Sequence, residues 1–118
     1  MTQTTVVANL AALRTIARDL PATTEDVKWG ADLCLCVGGK MYCVYGLESG
    51  GYSFKTEPET FQRLVRREGW GPAPYLARYH WVRVAPETPV DAEELRVLLA
   101  ASYASVVKGL KKADRPKG

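Results

Sequence analysis

Two glycines set between two apolar runs constrain this chain more than any other feature. Leu33 to Val37 and Lys40 to Leu47 flank Gly38-Gly39. Paired glycines adopt the positive φ angles of a two-residue hairpin turn, so the runs predict adjacent antiparallel strands. Such a turn dictates a register: Val37 opposite Lys40, Cys36 opposite Met41, Leu35 opposite Tyr42, Cys34 opposite Cys43. Side chains alternate between the faces of a sheet, so Leu35, Val37, Tyr42 and Val44 are expected on one face. Cys34, Cys36, Met41 and Cys43 would share the other, with Cys34 and Cys43 near enough to form a disulfide under oxidation.

Around this hairpin the apolar spacing predicts a first helix over about Thr5 to Asp19, with Leu10, Leu13, Ile16, Ala17 and Leu20 on one face and Pro21 as its stop. Residues 25–30 read as a short extended segment. Gly50-Gly51 predicts another turn before a strand over Tyr52 to Lys55. Thr56-Glu57-Pro58-Glu59 has the form of a capping box with an early proline, opening a second helix with Phe61, Leu64 and Val65 inward and Gly69 at its end. Tyr79 to Val84 predicts a strand with His80, Val82 and Val84 on one face and Tyr79, Trp81 and Arg83 on the other. Asp91 with Glu94 caps a last helix whose stripe is Leu95, Leu98, Leu99, Val106 and Leu110. Hairpins join the early strands, so the class is α+β: an antiparallel sheet, helices collected on one face, and a second face left open for function.

The chain has 118 residues, which predicts one domain, here residues 1–110, followed by a basic tail over 111–118 expected to be disordered. Its 47% hydrophobic and 25% charged residues are those of a globular protein. No apolar run reaches the ~20 residues of a membrane span. Met1 to Ala8 lacks the pattern of a secretory signal, so a cytoplasmic monomer with free thiols is expected, with no membrane partner. The net charge is +3, but Lys108, Lys111, Lys112, Arg115 and Lys117 face only Asp114 in the tail. The tail therefore holds the positive excess, and the folded body is near neutral.

Few residues offer chemistry. His80 is the one histidine; it could act as a general base, but no orienting partner or nucleophile accompanies it, and the alternative is a hydrogen-bonded histidine near the core. The sulfur cluster could suit copper(I) or zinc, yet the usual paired C-x-x-C spacing is missing, and small apolar packing is the plainer reading. Glu57, Glu59, Glu93 and Glu94 stand at helix starts, where they complement the helix dipole. We therefore expect no metal, no cofactor and no enzymatic activity. Trp70, Tyr75, Arg78, Tyr79, Trp81 and Arg83 lie in one stretch. Aromatic and arginine side chains together can stack bases and contact phosphates, anchor a protein partner, or simply pack over one another. Arg63, Arg66 and Arg67 on the second helix could extend a basic surface.

The ordered pieces resemble the MmcQ/YjbR family. The resemblance runs through Leu20-Pro21, Glu25, Trp29-Gly30, Val37-Gly38-Gly39-Lys40-Met41 and Ser53-Phe54-Lys55. It continues in Pro72-Ala73, Tyr75-Leu76, Tyr79-His80-Trp81-Val82, Asp91 to Glu94 and Ala101-Ser102-Tyr103. It implies a CyaY-like fold, as in bacterial frataxin, and a DNA-binding role by likeness to a double-wing motif. Iron binding does not carry over, because the first helix sets Arg14 and Arg18 against Asp19 alone. The resemblance points to Lys55, His80 and Trp81, flanked by Arg78 and Arg83, as the contacts to double-stranded DNA. Lysine and arginines would touch phosphates and Trp81 would stack or wedge. The competing expectation is a protein-partner or small-ligand module on the open sheet face around Trp81.

Overall fold

The computed structural model describes residues 5–74 and 76–116. Its elements run β1 (Thr5–Val7), α1 (Leu10–Ala17), β2 (Thr24–Lys28), β3 (Asp32–Val37), β4 (Lys40–Gly46), β5 (Tyr52–Lys55), α2 (Pro58–Leu64), β6 (Trp70–Pro72), β7 (Trp81–Val84), β8 (Pro89–Asp91) and α3 (Ala92–Lys108). Six strands form an antiparallel sheet in the order β2-β3-β4-β5-β7-β6, and β1 pairs with β8 in a separate two-stranded ribbon. The α+β class expected from the sequence is the observed one.

One face of the sheet is the core. Cross-strand partners carry the apolar layer from strand to strand: Leu35 faces Cys43, Cys43 faces Phe54, and Phe54 faces Val82. All four are buried, and α3 supplies Leu95, Leu98 and Leu99 against them while α1 supplies Leu13 and Ala17. A fully buried aromatic or aliphatic side chain of this kind contributes about 1.5–3 kcal/mol by leaving water. The edge strand β2 is largely exposed and carries Glu25, Asp26 and Lys28, charges that discourage pairing with another chain.

The Gly38-Gly39 turn forms as expected, with both glycines at positive φ (58° and 79°) and Val37 opposite Lys40. Two pairs in, the register shifts. Leu35 pairs with Cys43 and Cys34 with Val44, so Tyr42 is an extra residue on β4. The expected Cys34–Cys43 pair therefore does not exist: Cys43 joins the core face beside Leu35, and Cys34 points to the other side. The bulge has a partner in α3. Ser102, fully buried, donates its hydroxyl to Tyr42 O (2.6 Å) and accepts from Lys55 N (3.0 Å). It spans the place where β4 and β5 cease to bond directly.

Other boundaries moved for identifiable reasons. Thr5–Val7 is a strand rather than helix, because Asn9 accepts from Ala12 N (3.0 Å) and caps α1 there. The expected capping box before α2 is absent: Glu57 occupies the N-cap, and Thr56 instead donates its hydroxyl to His80 O (2.7 Å). Helix α2 ends at Leu64, well before Gly69. Strand β7 starts at Trp81, since residues 77–79 form a 3-10 turn and His80 is left-handed (φ 67°). At the far end Asp91 caps α3 as expected, accepting from Glu94 N. Within the described part of the tail, Lys112–Asp114 form a 3-10 turn. Arg115 then donates to Lys108 O, a carbonyl at the end of α3, and to Leu110 O just past it.

Candidate functional site

The outer sheet face, opposite the core, is defined by the same alternation that buries Phe54 and Val82. Cys34, Val44, Ser53 and Arg83 form one cross-strand row, and Asp32 sits beside Gly46 at the next position. Ala73, Pro74 and Leu76 border this face, and together with the β2–β3 turn they enclose a pocket of about 630 Å3. Its floor is Val44, Gly46, Gly51 and Ser53; its walls include Ala73, Pro74 and Leu76, and Trp29 lines it from the β2–β3 turn.

Glycine makes that floor possible. A Cβ at Gly51 would lie 2.5 Å from Arg83 Nη2 and 2.9 Å from its Cζ, so the guanidinium rests on bare backbone. A Cβ at Gly46 would meet Ser49 Oγ at 2.5 Å. Ser49 Oγ in turn accepts from Gly51 N (3.2 Å), which fixes the hydroxyl between the two glycines. Arg83 has no carboxylate partner among the described residues. Trp29 is 72% exposed and holds a left-handed backbone (φ 54°). A bulky residue there is strained by about 1–2 kcal/mol, a conformation retained where surroundings or function require it.

The residues expected to contact DNA do not form one surface. Lys55 and Trp81 line a second groove of about 400 Å3 with Lys40, Met41 and Tyr79, bordered by the C-terminal part of α3. Trp81 is only 5% exposed, so it forms groove wall and cannot project as a wedge. Arg78 is exposed and lies over the Tyr79 ring, 4.9 Å from its centroid. His80 packs edge-on to Phe61, 5.7 Å between rings, and its carbonyl accepts from Thr56 N and Oγ1, a structural placement. Arg83 belongs to the larger pocket. Tyr75 lies outside the described residues.

The expected basic extension along α2 is largely neutralised. Arg67 makes two hydrogen bonds to Glu94 (2.6 and 2.9 Å) and stacks over Trp70, and Arg63 reaches the same carboxylate at 3.9 Å. The Arg67 hydrogen bonds hold the Glu94 carboxyl below its ordinary range, as Arg14 does for Glu25. The sulfur cluster is split by the bulge, and its thiols are protected. Burial pushes Cys34 up to about 11, with the neighbouring Cys36 adding to the shift, and burial also raises Cys36 and Cys43. Thiols held protonated are poor ligands and nucleophiles. Among the described residues no three His, Cys, Asp or Glu side chains gather as a metal site, and no helix is long and apolar enough to cross a membrane.

Several pocket residues were invisible as a group in the sequence. Asp32, Ser49 and Ser53 are ordinary polar residues near strand ends, and only pairing of β3, β4, β5 and β7 collects them. The legible signal was Trp29-Gly30, an aromatic placed in a tight turn, together with Gly46 at the end of β4 and Gly51 just before β5.

The YjbR family model matches residues 18–105. The fold is similar to the crystal structure of a Deinococcus radiodurans protein with a DUF419 domain, with a TM-score of 0.81 and 29% identity, covering 92% of this chain and 86% of that one. A Pseudomonas syringae protein of known structure shares the fold at a TM-score of 0.67 and 20% identity, covering 83% of this chain and 98% of that one. No curated protein shows significant similarity to the chain. The match extends from the turn after α1 through most of α3, and the chain belongs to the YjbR family.

Proposed function

We propose that this domain is a non-enzymatic binding module that takes a small ligand into the pocket on the outer sheet face. The observation that carries the reading is the pocket itself. It has about 630 Å3 of space, mostly apolar walls and one guanidinium, without a carboxylate partner among the described residues, laid across a glycine floor. Binding sites for small molecules are commonly 300–1,000 Å3, apolar, with a few placed polar groups. The absence of enzymatic activity is part of the proposal. The polar side chains of the pocket, Asp32, Ser49, Ser53 and Arg83, include no histidine or activated thiol, and His80 is engaged with Phe61 and Thr56.

The test is a fragment screen followed by amide and indole NMR shifts on the full chain. Ligand-dependent shifts should concentrate at Trp29, Ser53 and Arg83. A screen that moves none of these, or moves only residues of the Lys55 groove, overturns the pocket reading.

A specific observation also favours a second reading, backbone-directed contact with duplex DNA. Lys40 and Lys55 line one groove with Tyr79, whose ring carries the exposed Arg78. Each phosphate contact contributes about 0.9 to the log-log salt slope of binding. If DNA binds there, Lys40→Ala with Lys55→Ala should reduce that slope by about 2. An unchanged slope removes this groove from consideration.

A further inference from the structure

We infer that the pocket selects a small organic monoanion, a flat apolar carboxylate bound at Arg83, with a hydrogen-bond donor at its far end directed to Asp32. This rests on the small-ligand reading above and names the class of ligand.

The polar groups of the pocket are segregated. At one end the Arg83 guanidinium lies over Gly51, and Ser49 Oγ, which accepts from Gly51 N, stands between that glycine and Gly46. Ser53 lies one strand away from Arg83 in the same cross-strand row. This end offers donors: the guanidinium N–H groups in a planar fork, and the Ser53 hydroxyl. A carboxylate matches that geometry with two parallel bonds. At the other end Asp32 pairs across to Gly46, and Gly46 N bonds to Gly51 O (2.8 Å). Asp32 therefore stands two strands from Gly51, about 10 Å along the sheet at ~4.8 Å per strand. This end offers an acceptor and, beside it, the exposed face of Trp29.

Between the ends the floor is Val44 and glycine, with Leu76 among the opposing residues. A flat ring fits such a floor and can stack on Trp29. The charge balance decides the class of anion. Among the described lining residues one guanidinium and one carboxylate cancel, so a second negative charge on a phosphate would face Asp32 without a further cation among them to offset it. A monoanion avoids that repulsion.

The experiment uses the full chain and matched probes: benzoate with benzamide, and indole-3-acetate with indole-3-acetamide, plus phenyl phosphate. Binding is read from NMR shifts at the Trp29 indole and the Ser53 amide. The acids are expected to bind at least tenfold more tightly than their amides, and more tightly than phenyl phosphate. Arg83→Met should erase the acid–amide difference while the remaining spectrum shows an intact fold. Asp32→Asn should raise the relative affinity of phenyl phosphate. If acids and amides bind the pocket equally, or if Arg83→Met keeps the preference, the anion assignment is overturned while the pocket reading stands. Tighter binding of phenyl phosphate than of benzoate overturns the monoanion assignment alone. If no probe shifts the pocket residues, both readings fail.

Discussion

The two faces of the six-stranded sheet are made from alternate residues of the same strands, yet they are built to opposite ends. On β5 the core face receives Tyr52 and Phe54, both buried, while the outer face receives Ser53 and Lys55, both half-buried. On β7 the inward residues are Val82 and Val84 and the outward ones Trp81 and Arg83. The core face fills space with large apolar groups. The outer face removes side chains at Gly46 and Gly51 and keeps polar ones around the gap. A sheet that invests its stability on one side can leave the other side partly open, and a pocket is the result.

Neighbouring substitutions on β5 should separate the faces most clearly. Phe54→Ala empties a fully buried site stacked against Tyr52 and edge-on to Trp70, and should cost about 4 kcal/mol of unfolding free energy. Ser53→Ala, one residue away on the pocket floor, should change stability by no more than about 0.5 kcal/mol. Urea denaturation of both variants checks this, and similar losses would show that the outer face is packed like the core.

The seam between the bulge and α3 should come next. Ser102→Ala leaves Tyr42 O and Lys55 N without their buried partner, and the loss should be about 3 kcal/mol. Ser102→Thr keeps the hydroxyl but adds a methyl at a site with no exposure. It should recover only part of the loss. A loss below about 1 kcal/mol for the alanine variant would mean that water replaces the serine.

The smallest effect should have the opposite sign. Trp29 is left-handed and exposed, so Trp29→Gly relieves backbone strain and should raise stability by about 0.5 kcal/mol. The same change should weaken ligand binding in the pocket. Falling stability in thermal and chemical unfolding would indicate that the indole packs on the fold rather than serving the pocket.

Local signals in the chain determined a good part of this architecture. Gly38-Gly39 can supply two positive φ angles whatever surrounds them, so the hairpin was legible from residue type alone. The cap at Asp91 and the buried leucines of α3 follow from side chains within a few positions of each other. Tertiary structure decided the rest, because each remaining choice depended on a partner far along the chain. The bulge at Tyr42 is tied to Ser102, 60 residues away, and it moved Cys43 from the outer face to the core. Thr5–Val7 became a strand because β8 offers it backbone partners, which outweighed its helical spacing. Trp81 is covered by neighbours that no spacing rule identifies, so its burial could not be read from the alternation of β7. Arg83 became a pocket residue because strand order sets it beside Gly51, and the only side chain that could exclude the guanidinium from that floor is the one glycine lacks.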